Sequence, residues 1–199
     1  MDYNKEMEKI INNLNNRPTL LLHSCCAPCS SHCLSILAPY FDITVFYYNP
    51  NISPSDEYYK RVVEQKKFID TINNEFGYNI KYIDYKYDVE SFNKIAIGHE
   101  NDLEGGKRCY KCYYLRLSET AIYASKDNFD YFCTTLSVSP YKNSNWLNEI
   151  GIELEKKYNI KYLLSDFKKR EGYKHSIELS KKYELYRQDY CGCIYSKRG

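Results

Sequence analysis

The sequence lacks any long hydrophobic run. No stretch approaches the roughly 18 apolar residues that suggest a membrane-spanning helix. The first residues, MDYNKEMEKIINNLNNRPT, are polar and contain no apolar segment typical of a secretory signal peptide. These absences argue against membrane and secreted proteins, so we expect a cytoplasmic protein.

Two ligand-binding patterns are also missing. The chain has no G-x-x-x-x-G-K-[ST] phosphate loop, and cysteines stand where such a loop would follow the first predicted strand. We therefore expect no use of ATP. The four histidines show no metal-binding spacing, which indicates structural or surface roles for His23, His32, His99 and His175.

Cysteine, by contrast, is abundant, with nine residues in a chain of 199. In a reducing cytoplasm, so many thiols indicate ligands or catalysts rather than structural disulfides. The length allows one domain with a full core, so we expect residues 1–199 to form a single unit.

The charge of the chain is unevenly distributed. Residues 1–155 carry 16 basic and 21 acidic side chains, a balance of −5, whereas residues 156–199 carry 12 and 5, a balance of +7. The basic C-terminal part, 156–199, suggests an anionic partner, with nucleic acid as the leading candidate. A solvated lysine-rich surface explains the same charge equally well.

Five short apolar stretches alternate with helical patterns, after a predicted N-terminal helix within residues 1–17. The strand candidates are RPTLLLHS, DITVFYYN (42–49), IKYIDY (80–85), DYFCTTL (130–136) and IKYLLSDF. The helix candidates include KRCYKCYYLRLSETAIYASK. This order predicts an α/β fold with one mostly parallel sheet of about five strands, flanked by helices.

Seven of the cysteines fall into three clusters. They are Cys25, Cys26 and Cys29; Cys109 and Cys112; and Cys191 and Cys193. Cys33 and Cys133 are predicted to be small core residues. Because sites in open α/β sheets form beyond the carboxyl ends of the strands, we expect the cysteine-rich loops to converge on that edge.

Three interpretations account for the clusters. A structural zinc site takes four ligands and leaves three thiols over. A thiol–disulfide oxidoreductase would use the CAPC motif, where a helix N-terminus lowers a thiol pKa, but the other clusters then have no role. An iron–sulfur cluster takes thiolates from several loops, and the surplus suggests an open iron or a second metal. This last interpretation is favoured, and the other two stay open.

Six stretches in the same order resemble one known family. They are LLHSCCAPCS (21–30), FYYNPNISPSDEYYKR (46–61), EGGKRCYKCYYLRL (104–117), TTLSVSPYKN (134–143), SDFKKREGY (165–173) and ELYRQDYCGCIYS (184–196). Together they resemble epoxyqueuosine reductase of the QueH type, the non-cobalamin enzyme of queuosine synthesis. By analogy alone, the fold is similar to the nucleotide-binding sheets of the ATP pyrophosphatase type.

The resemblance implies a reaction and its cofactors. The substrate is tRNA with epoxyqueuosine at the wobble position, and two electrons with two protons remove the epoxide oxygen to give queuosine. The family is understood to use a [4Fe-4S] cluster near a second metal ion, for which we expect iron. An electron donor of unspecified identity is also implied. The alternatives are a disulfide oxidoreductase and a zinc-stabilised RNA-binding module.

The resemblance also implies residue roles. The expected metal ligands are Cys25, Cys26, Cys109, Cys112, Cys191 and Cys193. Cys29 either binds the second metal or shapes the turn, and Asp189 is either a further oxygen ligand or a helix or turn cap. Tyr190 and Asp166, and also Tyr113, are candidate proton donors because they lie near the motifs in the sequence, not because the resemblance assigns them this role. The expected tRNA contacts are Arg108, Lys111, Lys142, Lys168, Lys169, Arg170 and Arg187, beside Arg116 and Lys174.

Overall fold

A five-stranded sheet organises the computed structural model, which describes residues 1–196. The strands are β1 (Thr19–His23), β2 (Asp42–Tyr47), β3 (Lys81–Asp84), β4 (Tyr131–Thr134) and β5 (Lys161–Tyr162). Their order is β3-β2-β1-β4-β5, and all four neighbouring pairs are parallel. The predicted α/β class is therefore confirmed, and the sheet is entirely rather than mostly parallel.

Helices connect the strands and flank the sheet. They are α1 (Tyr3–Asn12), α2 (Ala27–Leu37), α3 (Ser55–Phe76), α4 (Val89–Ala96), α5 (Lys107–Lys126), α6 (Ser144–Tyr158) and α7 (Gly172–Lys182). There are also two short 3-10 helices in the described chain: Thr135–Val138 lies between β4 and α6, and Ile194–Ser196 lies after α7. Across residues 1–196, no helix has both the length and the apolar character needed to cross a membrane.

The central strand divides the core between two faces. Side chains of a strand alternate, so Leu20 and Leu22 pack on one face and Leu21 on the other. The first face is covered by α1, α2 and α3, and the second by α5 and α6. Cys33 and Cys133 are fully buried in the first core, as predicted.

The last strand is shorter than the pattern IKYLLSDF predicts. Its ladder ends at Tyr162, although Leu163 still donates its N–H to the carbonyl of Phe132 at 2.9 Å. Beyond that point the Asn148 side chain replaces a strand partner: its Oδ1 accepts from Ser165 N, and its Nδ2 donates to Ser165 O. This side chain satisfies the backbone of a buried loop, which can therefore leave the sheet.

Candidate metal centre

The first cysteine cluster lies where β1 turns into α2. Cys26 is the extended residue that precedes the helix, and Cys29 sits in the first turn after Pro28. The Sγ atoms of Cys25, Cys26 and Cys29 lie within 4.8 Å of one another, with 3.7 Å between those of Cys25 and Cys26. We call these three residues the three-thiol group. In the described part of the chain, no other three Cys, His, Asp or Glu side chains meet this closely.

Hydrogen bonds favour a thiolate within this group. The pKa of Cys26 lies well below its ordinary value, because the thiols of Cys25 and Cys29 donate to it and the charge of Arg61 acts in the same direction. Gln188 also donates its Nε2–H to Cys26 Sγ at 3.0 Å. Hydrogen bonds with Cys25 and then with Cys26 raise the pKa of Cys29 well above its ordinary value. Because metals bind thiolates, the lowered pKa of Cys26 favours the binding of a metal cation to this group.

The other two cysteine clusters form a second group. Cys109 and Cys112 lie in the first turns of α5, while Cys191 and Cys193 lie in the segment after α7. All four line one narrow cavity of about 20 Å³. We call them the four-thiol group. All nine cysteines of the chain are free, which agrees with the expected reduced thiols.

Contacts with the start of α3 hold in place the segment after α7, residues 183–196, which we call the C-terminal segment. Arg61 donates to the carbonyls of Cys191 at 3.3 Å and Tyr190 at 3.4 Å. Gly192 accepts from Ser53 N at 2.8 Å and has a φ of 108°. A Cβ at this glycine would lie 2.8 Å from Ile52 Cγ1, so this close approach requires glycine.

A wide cavity of about 340 Å³ opens beside both thiol groups. Cys25, Cys29 and Cys191 line it. Its other lining residues include Tyr141, Tyr173, Arg187, Asp189 and Tyr190. Arg116, Lys142 and Glu104 line both this wide cavity and the narrow cavity. The three cysteine clusters thus meet beyond the carboxyl end of β1, as the strand order predicts.

Lys142 lines both cavities and places a positive charge beside the thiol of Cys191. Its Nζ donates to Cys191 Sγ at 3.1 Å and to Glu104 Oε1 at 3.2 Å, and the residue is 7% exposed. Burial alone would lower its pKa, but the charge of Cys191 raises it well above the ordinary value. Lys142 is thus a buried cation held against a thiol, a position unlike that of a surface phosphate contact.

Unpaired polar atoms surround the narrow cavity. Among residues 1–196, Arg108 Nε, Arg116 Nη2, Tyr113 Oη and the Asn51 side-chain amide are buried without a hydrogen-bond partner. Buried polar groups normally have partners, and most of these atoms are donors. Four thiols surrounded by orphan donors match the ligand count of a four-iron cluster and the acceptors that its sulfurs offer, so these residues fit such a group.

The other predicted residues occupy several environments. The hydroxyl of Tyr190 donates to Ser53 O at 2.9 Å, and Tyr190 lines the wide cavity. Asp189 is exposed and lines the same cavity. Asp166 is buried, accepts from Lys168 Nζ at 2.7 Å, and is absent from the lining of both cavities. Arg108 is 1% exposed and donates to the carbonyls of His99 and Glu100, so it points into the protein.

The remaining expected tRNA contacts are on the surface. Lys111, Lys169 and Arg170 are exposed and Lys168 is partly exposed. Arg187 is exposed and donates to Ser180 Oγ at 3.1 Å beside the wide cavity. The histidines bond within the protein, for example His32 to His175 with 3.0 Å between their Nδ1 atoms.

Three residues of the site were not predicted from the sequence. Arg61 donates to the carbonyl of Cys191, and Gln188 donates to the thiol of Cys26. Glu104 accepts from Lys142 Nζ, which also donates to Cys191 Sγ. All three lie within or next to the stretches that carry the family resemblance. That position was the available signal, but polar residue type alone does not distinguish a buried partner from a solvated side chain.

The fold and the site together define a cysteine-rich α/β protein with thiols gathered at the carboxyl edge of a parallel sheet. The family model "Epoxyqueuosine reductase QueH" matches residues 20–199. Proteins of that name from Staphylococcus epidermidis and Streptococcus pyogenes are 42% and 41% identical, each over 98% of this chain and over 84% and 76% of their own lengths. One from Thermotoga maritima is 39% identical over 89% of this chain and 90% of its own. The chain belongs to the epoxyqueuosine reductase QueH family.

Proposed function

We propose that the chain reduces epoxyqueuosine in tRNA to queuosine. Two C–O bonds of the epoxide break, a C=C bond forms, and the oxygen leaves as water after uptake of two electrons and two protons. The observation that supports this proposal is that the three-thiol group and the four-thiol group, from three chain segments, lie beside two adjoining cavities in a member of this family.

The two thiol groups suit different metals. We assign a [4Fe-4S] cluster to Cys109, Cys112, Cys191 and Cys193, because such a cluster takes four thiolates. The space between them is about 20 Å³, so we expect these side chains to separate when the cluster binds. We assign a single ion, iron by preference, to Cys25, Cys26 and Cys29, with Asp189 beside the wide cavity as a further donor.

When bound, these metals would pass on two electrons from an external electron donor and would act as a Lewis acid at the departing oxygen. The protein contributes a cavity with both thiol groups in its walls, together with the cation of Lys142. Of the predicted proton donors, the placement favours Tyr190, because it lines this cavity, whereas Asp166 is paired with Lys168 outside it. Tyr113 remains a candidate beside the narrow cavity, where its hydroxyl has no partner among the described residues.

The tRNA would approach over the basic C-terminal part of the chain. Lys168, Lys169, Arg170 and Arg187 are at least partly exposed, and phosphate contacts from such residues supply affinity that weakens with salt. Tyr141 and Tyr173 line the wide cavity and are 63% and 36% exposed. An unstacked base can lie against such rings, so we expect them to hold the modified base.

The decisive test starts with purification without oxygen, followed by iron and sulfide analysis. The reduced protein is then incubated with epoxyqueuosine-tRNA, and the nucleosides are identified by mass spectrometry. We expect iron with inorganic sulfide and a product lighter by one oxygen atom. A product that retains its oxygen, from iron-replete protein with a competent reductant, would reject the proposal. Activity that survives iron removal and needs only Cys26 and Cys29 would indicate disulfide exchange.

A further inference from the structure

Arg116 occupies the space between the two thiol groups. It lies on α5, one helical turn after Cys112, and its side chain lines both the wide and the narrow cavity. The residue is 1% exposed. Its guanidinium therefore cannot reach a tRNA phosphate at the surface, and the expectation that it does so is corrected.

The charge of Arg116 has no carboxylate partner. Its Nε donates to Cys112 O at 3.4 Å and its Nη1 to Asn49 Oδ1 at 3.3 Å, both of which are neutral acceptors. In the described chain its Nη2 bonds to nothing, and no Asp or Glu oxygen lies within 4.0 Å. Arg61, an equally buried arginine, pairs with Glu57 at 2.7 Å. A buried cation without a counter-ion is costly, so Arg116 needs a negative group that the carboxylates do not provide.

Thiols from both groups line the cavities that Arg116 lines, and a thiol that binds a metal becomes a thiolate anion. Cys25 and Cys191 line the wide cavity with Arg116, and Cys112 and Cys191 line the narrow cavity with it. Cys112 and Cys191 belong to the four-thiol group, and Cys25 belongs to the three-thiol group. The guanidinium is thus placed to neutralise charge on both groups at once.

We infer that Arg116 is the shared counter-ion of the two thiol groups and raises the reduction potential of the metal centre they hold. The inference rests on the proposed function, since it concerns metals bound to these thiols. Reduction adds negative charge, and a fixed cation in a buried site stabilises the reduced form more than the oxidised form. Arg116 acts through the ligands, so it is a positioning residue rather than a catalytic one.

The test compares the reduction potentials of matched variants. Arg116→Gln removes the charge, Arg116→Lys retains it, and Arg17→Gln removes the same charge beside Asp42 at the start of β2, the opposite end of the sheet. Asn49→Asp keeps Arg116 and places a carboxylate at its Nη1. Each protein is purified without oxygen, its iron and sulfide are measured, and the centre is titrated against redox dyes by visible absorption.

We expect the ratio of reduced to oxidised centre, at the wild-type midpoint, to fall at least tenfold in Arg116→Gln. For a one-electron couple this is a shift of about 59 mV. Asn49→Asp should shift the ratio in the same direction, whereas Arg116→Lys and Arg17→Gln should change it less than threefold.

The possible failures are distinguishable. Wild-type protein without iron would overturn both the proposed function and this inference. Iron-loaded wild type with an unmoved potential in Arg116→Gln would overturn the inference alone. If Arg116→Gln does not fold, Asn49→Asp decides in its place: a lowered potential supports the shared counter-ion and an unchanged one rejects it.

Discussion

The three-thiol group and the four-thiol group are assembled in different ways. Cys25, Cys26 and Cys29 come from one continuous stretch, and the turn from β1 into α2 suffices to bring their sulfurs within 4.8 Å. The four-thiol group joins α5 to the segment after α7. Its second half reaches the site only because side chains and backbone of distant elements hold it there.

The three-thiol group is thus positioned by local structure, and the four-thiol group by tertiary contacts. The three-thiol group depends on a strand-to-helix turn, which sequence dictates directly. The four-thiol group depends on Arg61, on the backbone of Ser53 and on the close approach at Gly192. We therefore expect damage to the C-terminal segment to affect the four-thiol group first and the three-thiol group less.

Loss of one thiol from the four-thiol group should have the largest effect. Cys191→Ser removes a cluster ligand and the partner of Lys142 Nζ, so we expect iron–sulfur absorption to disappear and reductase activity to fall by at least about a hundredfold. The three-thiol group should keep its metal. Metal and sulfide analysis of anaerobically purified protein, with the activity assay, measures both effects.

The matched control is Cys133→Ala, which removes a thiol from the buried core instead. It should retain iron and sulfide at the wild-type ratio. A Cys191→Ser protein that holds a complete cluster would contradict the assignment of the four-thiol group, and simultaneous loss of both metals would contradict the independence of the two groups.

Loss of Arg61 should have the next largest effect. Its side chain is 1% exposed and pairs with Glu57 at 2.7 Å, so Arg61→Met should lower the free energy of unfolding by about 3–5 kcal/mol. The C-terminal segment loses two hydrogen bonds in the same variant and should become more sensitive to protease. Urea unfolding of the metal-free protein and limited proteolysis measure the two effects.

Lys66→Met provides the control on the same helix. Lys66 pairs with Asp84 at 3.0 Å, but the two side chains are 47% and 43% exposed. An exposed pair contributes about 0–1 kcal/mol, so little stability should be lost. Equal losses in the two variants would show that Arg61 does not secure the segment by a buried ion pair.

Much of the fold follows from local pattern. The stretch KRCYKCYYLRLSETAIYASK corresponds to α5 from Lys107 to Lys126, and the apolar stretches locate every strand. The end of β5 could not be predicted in this way. The residues directly after Tyr162 are as apolar as a strand, and the bonds between Asn148 and the backbone of Ser165 are a tertiary contact that a local pattern does not reveal.

The candidate site, like the fold, could be predicted only in part. The spacing of the cysteines and the order of the strands predicted that the clusters would meet. The environments of Arg108, Arg116 and Lys142 were not predictable, because a basic side chain has the same local pattern whether it is solvated or buried against thiols. Their burial depends on which helices and loops enclose the cavities, and that is a tertiary property.

The smallest effect concerns the packing of α2, which carries Cys29, against α7, which precedes the C-terminal segment. Burial, and then the charge of His175, lower the pKa of His32 from 6.5 to about 4. Below pH 6.5 the unfolded chain takes up a proton that the folded protein refuses until about pH 4. The contribution of neutral His32 to the free energy of unfolding is therefore fully present above pH 6.5. It should be lost as the pH falls towards 4, by up to about 3 kcal/mol.

His32→Asn removes this titration while other groups, including the carboxylates, still titrate. We therefore expect the wild type to lose more stability than the variant between pH 7 and pH 4, as measured by urea unfolding of metal-free protein at each pH. The difference between the two curves isolates His32 and should follow its lowered pKa. Parallel curves would mean that His32 accepts a proton as readily in the folded as in the unfolded chain.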